Sequence, residues 1–332
     1  MDFLQFTKPF EIIHAHNNFT IEKLSEIRDA LAVALNSSAY KDNFTIVTTG
    51  SYGRGEASQE SDIDLIILVN DENIVEDNSI IQSELKQIAD IISTLVPAPT
   101  GSTGTFGTDE IHSYDELTKN IGGNKDTNIT MTHRVLLLLE GTWLFNENGF
   151  KELRANLLSK YIADEQPAGQ ITSFLLNDII RFYRTMTTDF ANKVFERGQS
   201  WGLRSVKLSY SRKLLYFGGI IAVAEAVNHE KRSEKIAAIS DLLDVSPLER
   251  ICRINNSNEH TKEVFEAYEY FLKIISDAEK RKQLSELKKI DRNESPAYLE
   301  IRETRKEFSQ KLSSWLCNHY QDDHPIHNAL LF

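Results

Sequence analysis

The chain has 332 residues, of which 41% are hydrophobic and 26% charged. That balance supports a packed core and excludes disordered, collagen-like and disulfide-scaffold classes. The net charge of -12 argues against tight nonspecific binding to nucleic acid, which needs basic surface to displace phosphate counterions, but leaves room for a local basic pocket. The length predicts two domains. Cys252 and Cys317 have no metal-type spacing and suit a reducing compartment. No secretory leader is read at the N-terminus, and no apolar stretch reaches the ~18 residues of a membrane span. A cytoplasmic protein that does not enter membranes is the expectation.

In chain order, Ile21–Leu35 predicts a helix, apolar at Ile21, Leu24, Ile27, Leu31 and Val33/Leu35. Phe44–Thr49 is β-branched and predicts a strand. Gly50–Glu60 is a glycine-bearing turn, and Asp62–Val69 predicts a second strand whose Leu65–Val69 portion is covered on both faces. Ile80–Leu95 predicts an amphipathic helix and Pro97–Gly107 a loop. A third strand is expected near Thr105–His112. Ten of the 15 glycines lie between Gly50 and Gly149 and none follows Gly219, so the rest of the chain should be helical. The predicted helices are Thr130–Leu139, Gly149–Tyr161, Gln170–Phe195, Trp201–Asn228, Lys231–Leu243, Pro247–Ile254, Glu259–Ile290 and Ala297–Tyr320. The fold class expected is α/β plus all-α. A small mixed-sheet domain over residues 1–128 precedes a helical domain over 129–332 that closes a nucleotide cleft.

Chemistry concentrates in Thr49-Gly50-Ser51-Tyr52-Gly53-Arg54-Gly55-Glu56, followed after five residues by Asp62-Ile63-Asp64-Leu65. A turn of small residues at a strand end lets a polyphosphate approach the backbone, and a helix starting there favours an anion. Side chains alternate along a strand, so Asp62 and Asp64 share one face while Ile63 and Leu65 enter the core. Two neighbouring carboxylates repel unless a cation lies between them. Mg²⁺ takes one or two carboxylates together with phosphate oxygens. A phosphate turn beside an Asp-x-Asp pair is half of a two-metal transfer site.

This segment resembles the Gly-Ser … Asp-x-Asp signature of the DNA polymerase β-like nucleotidyltransferase superfamily. Gly50–Leu65 is especially similar to the bacterial PII-protein uridylyltransferase type, with Ser51 and Ala57 in place of a Gly and a Leu. The close match covers under a tenth of the chain, and no phosphohydrolase or regulatory domain of those enzymes has a counterpart here. The resemblance implies two Mg²⁺ (or Mn²⁺) ions held by Asp62, Asp64 and a third carboxylate on a later strand, which helps deprotonate the acceptor. Asp109 is the preferred third carboxylate, with Glu110, Asp115 and Asp126 as alternatives; Asp115 fits a helix start better. Gly50, Ser51 and Arg54 are expected at the nucleotide.

On the predicted Trp201–Asn228 helix, Arg204, Lys207 and Ser211 form one polar stripe. Lys207 and Ser211 are similar to the triphosphate grip of superfamily members; a solvated basic face is the other reading. Arg181, with Asn177 and Arg184, is a candidate for the nucleotide pocket or for a salt-bridge network, since Asp178 lies three residues before it. His133-Arg134 is equally ambiguous, and His14, His16 and His112 have no ligand spacing. The function expected is NMP transfer from an NTP or dNTP to a hydroxyl, with a protein side chain favoured as acceptor. Template-independent synthesis of an oligonucleotide or nucleotide signal, as in antiphage defence, is the second reading. A non-catalytic nucleotide-sensing or toxin–antitoxin partner is the third.

Overall fold

A computed structural model of the protein describes residues 2–97, 111–164, 167–196, 198 and 200–331. It divides into two compact units, each built from non-contiguous stretches. A sheet unit comprises residues 16–166 and 232–246, and a helical unit comprises residues 1–15, 167–231 and 247–332. Among the described residues no helix is long and apolar enough to cross a membrane.

The sheet unit carries four strands: β1 (Phe44–Thr49), β2 (Asp64–Val69), β3 (Ile111–Ser113) and β4 (Thr142–Phe145). Their spatial order is β3-β2-β1-β4. β1 runs antiparallel to β2 and β4, while β3 is parallel to β2, so the sheet is mixed. Leu65 to Val69 are all buried, as expected of a strand covered on both faces. One face packs on Leu24, Ile27, Leu31 and Leu35 of helix Glu11–Leu35 and on Leu85, Ile88 and Ile92 of helix Gln82–Leu95. Their spacing of three and four residues puts each set on one helical face. Ile21 and Val33, expected in that stripe, are instead exposed at 50% and 81%.

Some elements differ from the sequence reading. The first long helix starts at Glu11, ten residues early, because the Glu269 carboxylate accepts the amides of Ile12 (2.8 Å) and Ile13 (2.9 Å). A helix cannot satisfy its own first amides, and a distant carboxylate supplies the acceptor here. β2 starts at Asp64 and β3 at Ile111. The Thr105–Glu110 part of the expected third strand lies outside the described residues. β4 lies between the expected helices Thr130–Leu139 and Gly149–Tyr161, where no strand is predicted; it follows helix Asn128–Glu140 after the single residue Gly141.

The helical unit is built from helices that include Ser173–Phe195, Gly202–Ser209, Ser211–Glu225, Glu259–Ser276, Pro296–Arg302 and Thr304–His319. Three expected long helices are interrupted. Trp201–Asn228 breaks at Tyr210, whose ring is stacked against Phe271 (4.7 Å) and Phe308 (4.9 Å) and whose hydroxyl meets Thr304 Oγ1 at 2.6 Å. Glu259–Ile290 breaks at Asp277, which caps the next helix through Lys280 N. Ala297–Tyr320 breaks at Glu303. Both cysteines are free thiols, Cys252 buried and Cys317 exposed.

Candidate active site

The register of two strands assembles the site. β1 ends where β2 begins, and the antiparallel pairing sets Thr49 opposite Asp64 and Thr48 opposite Leu65. The Thr48 hydroxyl donates to the Asp64 carbonyl at 2.9 Å. The residue after Thr49 therefore lies against the first carboxylate of the strand. Gly50 has φ +70, a left-handed conformation that glycine adopts freely. A Cβ on Gly50 would fall 2.3 Å from Asp64 Oδ2. A single helical turn, Gly50–Gly53, follows.

Asp62 and Asp64 are partly exposed, whereas Ile63 and Leu65 are fully buried. The alternation puts the two carboxylates on the same side of the chain. Asp62 enters no ion pair among the described residues. Its negative charge acts on Tyr52, a buried phenol pushed up to about 12, first by burial and then by Asp62. The Thr49 hydroxyl is buried with no hydrogen-bond partner among the described residues. Two hard carboxylates on one side of the chain fit a divalent cation of the Mg²⁺ or Mn²⁺ kind. Among the described residues no group of three His, Cys, Asp or Glu side chains is placed to hold a metal. Asp109 and Glu110 lie outside the described residues.

Beneath the turn is a buried network that the sequence reading missed. Glu140, the last residue of helix Asn128–Glu140, accepts the Gly50 amide at 3.1 Å through Oε1 and Arg54 Nη1 at 2.6 Å through Oε2. Arg54 Nε also donates to Glu56 Oε2 at 3.0 Å. The three side chains are 8% exposed or less. Gly53 is needed for this approach: a Cβ there would fall 1.8 Å from the Glu140 carbonyl oxygen. Arg54, expected at the nucleotide, is thus held by two carboxylates under the turn. No local signal marks Glu140, since it ends an apolar run, Val135–Leu139, that reads as core.

The other expected residues are placed as follows. Ser51 is partly exposed at the head of the turn. Asp126 is bound bidentately by Arg134 at 3.0 and 2.9 Å and accepts the Gly122 amide, and Arg134 also donates to the Tyr161 hydroxyl at 2.6 Å. That buried pair explains Arg134 as structural. Asp115 lies in the first turn of helix Tyr114–Thr118, capped by Ser113, and pairs with Lys119. His112 and His133 contact each other with ring centroids 4.4 Å apart. Lys207, Ser211 and Arg181 belong to the helical unit. Lys207 is half-buried on helix Gly202–Ser209. Ser211 is buried at the start of the next helix, so the break at Tyr210 ends the stripe that was expected to join them. Arg181 lies 3.8 Å from Asp178, the ion pair its spacing suggested.

Residues 31–107 match the family model described as nucleotidyltransferase domain. The match runs from helix Glu11–Leu35 through β1, the Gly50 turn, β2 and helix Gln82–Leu95. It supports the DNA polymerase β-like superfamily for this domain, on a mixed sheet followed by helices. The chain is a nucleotidyltransferase, an enzyme whose substrate is a nucleoside triphosphate. A comparison with curated proteins finds no match.

Proposed function

We propose that the protein transfers an NMP group from an NTP or dNTP to a hydroxyl acceptor, with two Mg²⁺ or Mn²⁺ ions bound at Asp62, Asp64 and Asp109. The observation that carries this reading is the Thr49–Asp64 register, which sets the Gly50 turn against the Asp64 carboxylate. The ions, when bound, neutralise charge on the phosphates and on the attacking and leaving oxygens. Asp62 and Asp64 hold them from one side of the chain. Asp109 takes the proton of the acceptor hydroxyl. The acceptor oxygen bonds to the α-phosphorus, the bond to the bridging oxygen breaks, and pyrophosphate leaves with that electron pair.

Gly50 lets the polyphosphate approach the backbone, and the Ser51 hydroxyl donates to it. The Gly50 amide is engaged by Glu140, so in this reading Arg54 and Glu140 hold the turn in shape and leave the phosphate contacts to Ser51. Lys207, with its positive charge, and Arg181 and Ser211 are the further nucleotide contacts that the sequence suggests. A protein side chain as acceptor follows from the likeness of Gly50–Leu65 to the PII-protein uridylyltransferase type.

The test is to incubate purified protein with each labelled NTP and dNTP and Mg²⁺. Label on a protein hydroxyl supports the proposal. An oligonucleotide ladder would move the acceptor to a nucleic-acid end, and no product with any nucleotide or acceptor protein would overturn turnover itself.

A further inference from the structure

Within the helical unit, two structural pieces each present one cation and one serine, and they pair crosswise. Ser209 ends helix Gly202–Ser209, and Lys213 stands in the first turn of helix Ser211–Glu225. Arg305 and Ser309 lie one turn apart on helix Thr304–His319. Arg305 Nε donates to Ser209 Oγ at 2.8 Å, and Lys213 Nζ donates to Ser309 Oγ. Arg305 Nη1 donates to the Tyr298 hydroxyl at 2.8 Å. Each serine hydroxyl spends its own hydrogen on its helix: Ser209 on the Ser205 carbonyl and Ser309 on the Arg305 carbonyl.

Every one of these partners is neutral. Among the described residues neither Lys213 nor Arg305 forms an ion pair, although the chain has 49 acidic residues against 37 basic ones. The nearest acids along the helix are engaged elsewhere, Glu303 by Arg302 and Glu307 by Lys311. Elsewhere in the molecule buried arginines meet carboxylates, as Arg54 and Arg134 do. Here the charges of two half-buried cations act on each other, and most of their hydrogens have no acceptor among the described residues. Burial, and then the charge of Arg305, push the Lys213 pKa down. Like charges partly removed from water are unfavourable until an anion lies between them. A guanidinium fork beside a compact ammonium suits phosphate oxygens. Next to this pair, the half-buried rings of Tyr183 and Tyr216 stack at 4.6 Å, and Tyr183 feels the Arg305 charge. Such aromatic faces accept a base without reading its identity.

We propose that Lys213 and Arg305 form a binding site for a phosphate or polyphosphate group, either free or carried by a nucleotide. The site does not rest on the transfer chemistry proposed above, and it can be measured without turnover.

The test is calorimetric titration of the full chain at low ionic strength without divalent metal. The probes are inorganic pyrophosphate, AMP and adenosine. Binding of pyrophosphate with weaker AMP binding marks a free polyphosphate site, and tighter AMP marks a nucleotide site; either supports the proposal. Lys213→Met and Arg305→Met should each weaken that binding about tenfold or more, since each removes a charge-assisted contact. Lys213→Arg should stay within about threefold, because it keeps the charge. The Asp62→Asn/Asp64→Asn double variant should bind as the wild type does. Without ligand, Lys213→Met should melt no earlier than wild type, and the ligand should raise the melting temperature of Lys213→Met less than that of wild type. Arg305 also holds Tyr298, so if Arg305→Met does not fold, Lys213→Met carries the test. Wild-type protein that binds neither pyrophosphate nor AMP, binds adenosine as well as AMP, or loses nothing with Lys213→Met would overturn the proposal.

Discussion

Asp64 Oδ2 occupies the space that a side chain on Gly50 would need, 2.3 Å from the position of its Cβ. The turn and the carboxylate therefore constrain each other, and Gly50→Ala tests both at once. The new methyl must push the carboxylate aside, and φ +70 costs an alanine ~1 kcal/mol or more. Stability should fall by only ~1–2 kcal/mol in urea denaturation. Transfer should fall about a hundredfold or more, since small misplacements of reacting groups are costly. Equal, modest losses in both measurements would show that the turn is merely structural.

Arg54, Glu56 and Glu140 make a second, distinguishable prediction. Removing one partner of a buried ion pair leaves an uncompensated charge and costs ~3–5 kcal/mol. Arg54→Ala and Glu140→Ala should each destabilise the protein by that order. The double variant should lose much less than the sum, because the two share one network. Glu140→Gln keeps an acceptor for the Gly50 amide and should recover part of the loss. If Arg54 instead served the nucleotide, Arg54→Ala would leave the urea midpoint unchanged and raise only the KM for NTP.

His133 gives a pH dependence. It is 2% exposed, and burial, followed by the nearby His112, pushes its pKa from 6.5 down to about 4. Between those values the unfolded chain binds a proton at this position that the folded chain does not. The contribution of His133 is therefore intact above pH ~6.5 and lost as pH falls toward ~4, a change of roughly 3 kcal/mol. Urea denaturation at pH 7.5 and 4.5 should show wild type losing roughly 2–3 kcal/mol more than His133→Gln over that interval. A constant gap between the two proteins would contradict a depressed pKa.

The parts of this molecule that were legible in sequence are those specified locally. β1 is a β-branched run and β2 an apolar one, each next to turn residues, and the alternation at Asp62 to Leu65 shows which side chains enter the core. Helix Gln82–Leu95 declares itself by its periodicity. What was not legible depends on distant partners. The start of the first long helix depends on Glu269, more than 250 residues away. β4 has four residues between two helices and is a strand only because β1 offers it an edge. The break at Tyr210 is set by Phe271 and Phe308, which hold its ring. Likewise the Gly50 turn could be found from its motif, but Glu140 could not, because a carboxylate ending an apolar helix has no signature until the fold places it under Gly50.

The most direct measurement of the central claim is single-turnover transfer of labelled nucleotide with Mg²⁺, comparing wild type with Asp62→Asn and Asp64→Asn. Both substitutions preserve shape and remove a negative charge from a repulsive pair, so folding should be unaffected or slightly improved, as read by circular dichroism and urea midpoint. Transfer should fall by about three orders of magnitude or more in each variant, because a cation that neutralises the phosphates would lose a ligand. Transfer within about tenfold of wild type in either folded variant would contradict a site built on the Asp62–Asp64 pair.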